Sequence, residues 1–362
     1  MDRPKIKVLV VEKSSALLTV LVNILSSDPR IHIIGTAQNG EDALEFLSRE
    51  VPDVILMDIG LSELDAFETT RQIMETRPVP IVICGDSDNP RETIGTFRSM
   101  EAGAVAWVDK PANKTGSRFN IAAAEMVQTI KLMSEVIVVR RWPPGRHKKM
   151  PLRTALALSP REPTGGVEII GIGASTGGPP VLQSILAGLP KDFAVPVLIV
   201  QHISRGFLAG MVEWLDQTTR LKVHVAAHGT IPLAGHVYLA PDDLHMTMGD
   251  ERIILTRAET DYGSRPSVAH LFRSLADYGA RAIGVILTGM GRDGARELGQ
   301  MKTRGAFTIA QDRETSVVHG MAGEAISMGA ASCVLPADKI APALMDAVNS
   351  HSPLVGVNQN DS

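Results

Sequence analysis

Cysteine is nearly absent: the 362 residues contain two, Cys84 and Cys333, far apart and each in an apolar, strand-like run. That usage fits small buried thiols in a reducing compartment rather than a stabilising bridge. Long hydrophobic runs are missing too. No window approaches the ~18 uninterrupted apolar residues of a membrane helix. Met1-Asp2-Arg3-Pro4-Lys5 leads into a short apolar stretch, Ile6 and Val8 to Val11, broken by Lys7, which does not read as a signal peptide. A cytoplasmic chain that is not embedded in a membrane is expected. Charge of one sign is also lacking: the net charge is -4, which argues against wholesale binding of polyanions, and no nucleic-acid partner is expected.

The chain is long enough for two domains at roughly 100–200 residues each. Its hydrophobic fraction, 44%, suffices for a core in each. The first part alternates strands and amphipathic helices. Lys7–Val11 is a short β-rich run, and Ser14 and Ser15 can cap a helix carrying Leu17, Leu18, Leu21, Val22 and Leu25 at helical spacing. Ile31–Thr36, Val54–Met57, Pro80–Cys84 and Ala104–Val108 read as further strands, with a helix over Glu41–Arg49. Val54-Ile55-Leu56-Met57 is continuously apolar, as a buried parallel strand should be. The alternation predicts a parallel sheet covered by helices on both faces.

Past a helix ending near Met133 the texture changes. Pro143, Pro144, Pro151, Pro160 and Pro163 and basic residues from Arg140 to Arg153 mark an interdomain linker over about 135–166, read as a solvated tether. A second α/β series then begins. Glu168–Ile172, Val195–Val200, Ala282–Thr288 and Ala306–Ala310 are expected strands, and Pro179–Leu186, Val268–Tyr278 and Gly294–Thr303 are expected helices.

Gly173-Ala174-Ser175-Thr176-Gly177-Gly178 follows a strand and opens a helix, the context in which G-x-S-x-G becomes meaningful. The serine hydroxyl would sit at the carboxyl edge of the sheet, near the partial positive charge of a helix N-terminus. On spacing alone three readings stay open: a nucleophile elbow, a structural glycine turn, and a phosphate cradle. Against the last, Thr176 stands where a dinucleotide fingerprint needs its third glycine, and Gln201-His202 ends the next strand where an acid is needed.

His202 emerges at the same edge. Alone it reads as a structural histidine, and Asp293 alone as a helix N-cap. Three strand ends offering Ser175, His202 and Asp293 are nonetheless what a triad requires: a nucleophile, a base, and a carboxylate that fixes the base's tautomer. The order Ser, His, Asp differs from that of α/β-hydrolases, chymotrypsin and subtilisin. The loop Thr288–Gly291 can add backbone N–H groups to an oxyanion hole. His224, His228, His236 and His245 lie at irregular spacing and make no credible metal site. Arg265 can equally guide an acidic partner or sit in an ordinary ion pair.

At this point a resemblance becomes specific. Residues 167–348 resemble the catalytic domain of chemotaxis protein-glutamate methylesterases, the CheB family. The resemblance rests on Ile172–Gly178, Gln201-His202, Tyr238–Asp242, Arg265–Ser267, Val285–Gly291 with Asp293-Gly294, Thr308–Gln311, and Gly320-Met321 with Glu324–Ile326. It implies a doubly wound, mainly parallel α/β fold and Ser175, His202 and Asp293 as the triad. The Met290 backbone would hold the oxyanion, Thr176 would support the site, and catalysis would need no cofactor. The implied reaction is hydrolysis of glutamyl methyl esters on methyl-accepting chemotaxis receptors, with glutamine deamidation as a companion activity. Two other readings are a serine esterase of the same fold with another substrate, and a non-catalytic signalling adaptor.

Residues 4–134 resemble a response-regulator receiver, which implies a flavodoxin-like fold, on Val10-Val11-Glu12, Leu56-Met57-Asp58, Leu64-Asp65 and Lys110-Pro111. The resemblance makes Asp58 the phosphoacceptor for a chemotaxis histidine kinase, with Lys110 contacting it and Mg²⁺ held by Glu12 and Asp58. Two departures put this in question. The family's acidic pair is Glu12-Lys13 here, and the hydroxyl residue ending the fourth strand is Gly85. An ammonium at the metal position opposes Mg²⁺, and a Lys13–Asp58 pair is the expected substitute. Trp107 occupies the place of the family's aromatic switch residue, and Ala66 replaces its usual glycine.

Overall fold

The structure, a computed structural model, describes residues 4–61, 65–111, 116–136, 138 and 166–349. The expected basic linker and Leu64 therefore fall largely outside the described residues. The chain divides into two compact units: residues 1–151 with 203–215, and residues 152–202 with 216–362.

In the first unit strands and helices alternate: β1 (Ile6–Val11), α1 (Ser15–Ser26), β2 (Ile31–Ala37), α2 (Gly40–Arg49), β3 (Val54–Asp58), α3 (Ala66–Thr76), β4 (Ile81–Gly85), α4 (Pro90–Ala102), β5 (Ala106–Asp109) and α5 (Gly116–Met133). All neighbouring strands pair parallel, in the order β2-β1-β3-β4-β5. This is the doubly wound flavodoxin-like order. Side-chain caps start the helices where local competition with helical bonding favours them. Ser14 accepts from the Leu17 amide, Asn39 from Asp42 and Asp65 from Glu68. Every residue of β3 is buried, as its unbroken apolar run requires. Burying Val54, Ile55, Leu56 and Met57 stabilises the unit by roughly 1.5–3 kcal/mol per side chain. The same strand carries Asp58 to its carboxyl edge.

The second series contains β6 (Ile169–Ala174), α6 (Gly178–Ala187), β7 (Val197–Gln201), α7 (Leu208–Thr218), β8 (Lys222–Val225), β9 (His236–Leu239), β10 (His245–Gly249), β11 (Arg252–Thr256), α8 (Val268–Leu275), β12 (Ala282–Ile286), α9 (Ala295–Thr303), β13 (Phe307–Gln311), α10 (Met321–Ser327), β14 (Cys333–Leu335) and α11 (Ala337–Asn349). Seven strands form one parallel sheet in the order β14-β13-β12-β6-β7-β9-β8. β10 and β11 form a separate antiparallel hairpin. The chain leaves β6 toward β7 and later returns to build β12 on its other side. The loops after β6 and β12 therefore diverge, and this opens the crevice in which doubly wound sheets bind their ligands.

The strand β6 owes its position to glycine. A Cβ on Gly173 would lie 2.3 Å from Val268 Cγ1, and one on Gly171 2.4 Å from Leu275 Cδ1. The bare backbone thus lets α8 press directly onto the strand that precedes Ser175. Gly173→Ala should cost about 1–3 kcal/mol by overpacking, read as a lower urea midpoint. Adding Val268→Ala should recover part of that loss; no recovery would show that the strain lies elsewhere.

Candidate active site

Ser175, His202 and Asp293 leave three adjacent strands at one edge. β6 and β7 pair with Ala174 opposite Gln201, and the His202 amide donates to the Ala174 carbonyl at 2.9 Å. Ser175 and His202 are thus the first residues beyond two strands about 4.8 Å apart. Asp293 arrives on the loop after β12, which pairs with the other side of β6.

The imidazole of His202 and Asp293 are bonded, Nε2 to Oδ2, at 2.8 Å. Asp293 is 4% exposed and accepts three further hydrogen bonds: Ser267 Oγ to Oδ1 at 2.8 Å, the Ala269 amide to Oδ1 at 2.9 Å, and the Val268 amide to Oδ2 at 2.8 Å. The carboxylate therefore caps α8, not the helix α9 that follows it in sequence. Ser267, the N-cap residue of α8, makes no side-chain cap bond of its own because its hydroxyl donates to Asp293. Burial pushes the Asp293 carboxyl up, but the His202 bond and charge, the Ala269 amide and the Ser267 hydroxyl outweigh it and hold it below the ordinary carboxylate range.

With Nε2 committed to Asp293, Nδ1 is the nitrogen left for the serine. Among the described residues Ser175 Oγ makes no hydrogen bond and neither does His202 Nδ1. The Ser175 amide donates to the Thr288 carbonyl at 3.0 Å and is unavailable to a developing oxyanion. The amides of Thr176 and Met290 donate to no group among the described residues, and Met290 is 42% exposed. Thr176 directly follows the serine in sequence, and Met290 lies on the loop after β12. Thr176 also contributes its carbonyl, which accepts the Thr288 hydroxyl at 2.9 Å.

Several supporting residues had no role in the sequence reading. Gln201 Nε2 donates to the carbonyls of both Ser175 and His202 at 2.8 Å, so one amide clamps both strand ends. Gln311 Oε1 accepts from the Thr288 amide at 2.8 Å and steadies the loop leading to Met290. Ser267 could have been read as a cap before an apolar helix, but its partner lies 26 residues away. His224 and His236 do meet, at 2.9 Å between ring nitrogens, because β8 and β9 run parallel. His245 is wholly buried and stacks on His270 at 3.8 Å between centroids. Burial, then His270 and Arg265, lowers it to about 4, so it stays neutral. Of the two readings of Arg265, the ordinary ion pair is not formed among the described residues, where its Nε is buried without a hydrogen-bond partner.

In the first unit Glu12, Asp58 and Lys110 gather at the carboxyl edge of the five-stranded sheet, all buried. Lys110 Nζ pairs with Asp58 Oδ1 at 2.5 Å and with Glu92 at 3.3 Å. Burial opposes the ammonium, yet the Asp58 charge and bond and the Glu92 charge hold it above the ordinary lysine value. The expected Lys13–Asp58 pair is not formed: Lys13 donates to the Gly60 carbonyl, and Lys110 takes the Asp58 oxygen instead. Gly85 ends β4, with no side chain to offer, and Trp107 lies in β5 with its ring edge-on to Phe97 at 5.6 Å. Ala66 opens α3.

Fold and site together define the class: a receiver-type α/β unit joined to an α/β unit of serine-hydrolase type. Residues 170–344 match the CheB methylesterase family, and residues 8–117 match the response regulator receiver domain. A protein-glutamate methylesterase/protein-glutamine glutaminase of Nitrosospira multiformis is 48% identical over 95% of this chain and 97% of its own. Another from Syntrophus aciditrophicus is 47% identical over 96% of this chain and 100% of its own. The chain belongs to the CheB family of protein-glutamate methylesterases/protein-glutamine glutaminases. The crystal structure of the Thermotoga maritima CheB methylesterase catalytic domain is also similar, at 38% identity and a TM-score of 0.48 over 50% of this chain and 98% of that one.

A carboxylate depressed in the folded state contributes stability that is fully present above its unfolded pKa, about 3.9, and is lost as pH falls through the folded value. Asp293→Asn should therefore lower stability by about 1–3 kcal/mol above pH ~5 through lost charge-assisted bonds. The deficit should shrink as pH falls below ~3.9. Urea midpoints across that range check this, and a deficit independent of pH would sink the capping assignment.

Proposed function

We propose that this chain hydrolyses glutamyl methyl esters on methyl-accepting chemotaxis receptors, and deamidates glutamines on them, in the cytoplasm. The observation that carries the reading is the His202–Asp293 bond at 2.8 Å, with Ser175 on the neighbouring strand end. Relatives named for both activities over nearly the whole chain support it. No helix among the described residues is long and apolar enough to cross a membrane.

The chain's own residues supply each step. His202 Nδ1 takes the proton of Ser175 Oγ as that oxygen forms a bond to the ester carbonyl carbon. Asp293 holds the ring through Nε2 and stabilises the imidazolium as it forms. Thr176 and Met290 N–H groups face the developing oxyanion, where fixed dipoles need no reorganisation. The tetrahedral adduct collapses, His202 returns the proton to the leaving oxygen, and methanol departs. Water then gives a proton to His202 as its oxygen bonds to the acyl carbon; the acyl–Oγ bond breaks, His202 returns the proton to Ser175 Oγ, and glutamate is the product. With a glutamine side chain the leaving group is ammonia.

Methanol release from methylated receptor is the test. Ser175→Ala should reduce the rate by roughly 10³-fold or more while leaving the fold intact. The imidazole must be neutral to accept the proton, so the wild-type rate should fall once the medium is acidic enough to protonate it. Retention of the rate in Ser175→Ala rejects the nucleophile. Equal turnover of simple alkyl esters and methylated receptor would point to a broader esterase.

A further inference from the structure

The receiver-type pocket raises a separate question, because its family would place a divalent cation beside Asp58. A Mg²⁺ ion requires near-octahedral oxygen ligation from carboxylates, carbonyls and water. The residues present do not fit it. Asp58 Oδ1 is engaged by Lys110 and by the Gly60 amide at 3.1 Å. The Gly60 carbonyl is engaged by Lys13 Nζ. Glu12 Oε1 accepts from the Ser14 amide at 2.9 Å. Only Glu12 Oε2 and Asp58 Oδ2 remain buried and unpartnered there, and no group of three or more metal-ligating side chains occurs among the described residues.

What the pocket holds instead is a second ammonium. A Cβ built on Gly60 would meet Lys13 Nζ and Asp58 Oδ2 at 3.4 Å each, so the two charged groups converge over that glycine. Burial holds the Glu12 carboxyl above its ordinary value, and Lys110 and then Lys13 act on it through space in the opposite direction. The two orphaned carboxylate oxygens therefore lie near two positive charges, the buried Lys110 and the exposed Lys13. A divalent ion would have to displace Lys13 from the carbonyl and sit against its charge.

We propose that the Lys13 ammonium, seated on the Gly60 carbonyl beside Asp58, is the resident cation of this pocket and replaces the divalent ion. The pocket then carries its own cation in Lys13 and is indifferent to Mg²⁺. Phosphoryl transfer to Asp58 would form a bond from its carboxylate oxygen to phosphorus while the donor's P–O bond breaks; from acetyl phosphate, acetate leaves with the electron pair. The group delivered carries close to two negative charges. Here they would meet Lys13 and Lys110 rather than a metal, so any adduct forms without Mg²⁺ dependence.

The full chain is titrated calorimetrically with MgCl₂, and its intact mass is recorded after acetyl phosphate with Mg²⁺ or with EDTA. Wild type should give no saturable heat and the same adduct yield, zero or otherwise, in both conditions. Lys13→Asp supplies the missing ligand and removes the competing charge. It should bind Mg²⁺ saturably and form about tenfold more adduct with Mg²⁺ than with EDTA. Circular dichroism verifies folding, and if Lys13→Asp fails to fold, Lys13→Asn is read on the same two axes. Saturable Mg²⁺ binding by wild type overturns the proposal, and so does a folded variant that stays indifferent to the ion. Neither readout involves ester hydrolysis, so failure here is distinct from failure of the esterase reading.

Discussion

One buried carboxylate organises the catalytic unit. Asp293 accepts four hydrogen bonds, and each comes from a group whose position matters: an imidazole on the neighbouring strand end, a serine hydroxyl, and the first two amides of α8. An ionised carboxylate that is almost sealed from water persists only when such bonds replace its hydration. Aligned helix amides and their partial positive charge are well suited to that task. The histidine thus inherits a partner whose charge and orientation were settled by folding, before any substrate arrives. Gly173 belongs to the same arrangement, since the close approach of Val268 brings the N-terminus of α8 to the strand that delivers the serine.

The parts of this architecture that are local in sequence were legible in it. The five strands and the cap at Ser14 in the first unit were visible as apolar runs and a hydroxyl before a periodic face. Strands β6, β7, β12 and β13 were found within one or two residues, because buried parallel strands are continuously apolar. Strands β8 to β11 and β14 were not found. They are three to five residues long, several mix polar with apolar positions, and β10–β11 lies outside the main sheet. Short segments of that kind are decided by neighbours rather than by their own pattern.

The same division runs through the site. Ser175, His202 and Asp293 could be picked out because each follows a strand, and the sheet order then places those strands side by side. Asp293 as the cap of a distant helix, Gln201 as a clamp on two carbonyls and Gln311 as a brace for Thr288 depend on contacts between remote segments. No spacing rule announces them. Lys13 is the intermediate case. Its charge at a metal-ligand position was plain from the sequence, but its partner was misjudged. A lysine end group can reach either the Asp58 carboxylate or a main-chain oxygen, and only the folded pocket shows Lys110 already holding the acid.

The choice of imidazole nitrogen has its own consequence. Because the outer nitrogen of His202 is spent on Asp293, only the nitrogen attached to the ring carbon nearest the backbone is left for another partner. Its reach is short, and Ser175 and His202 each stand one residue past the last paired position of β6 and β7. The separation of the two residues is then governed by interstrand spacing, which the hydrogen bonds between β6 and β7 hold nearly constant. Slippage of that ladder by even one residue would turn the serine to the opposite face, away from the histidine.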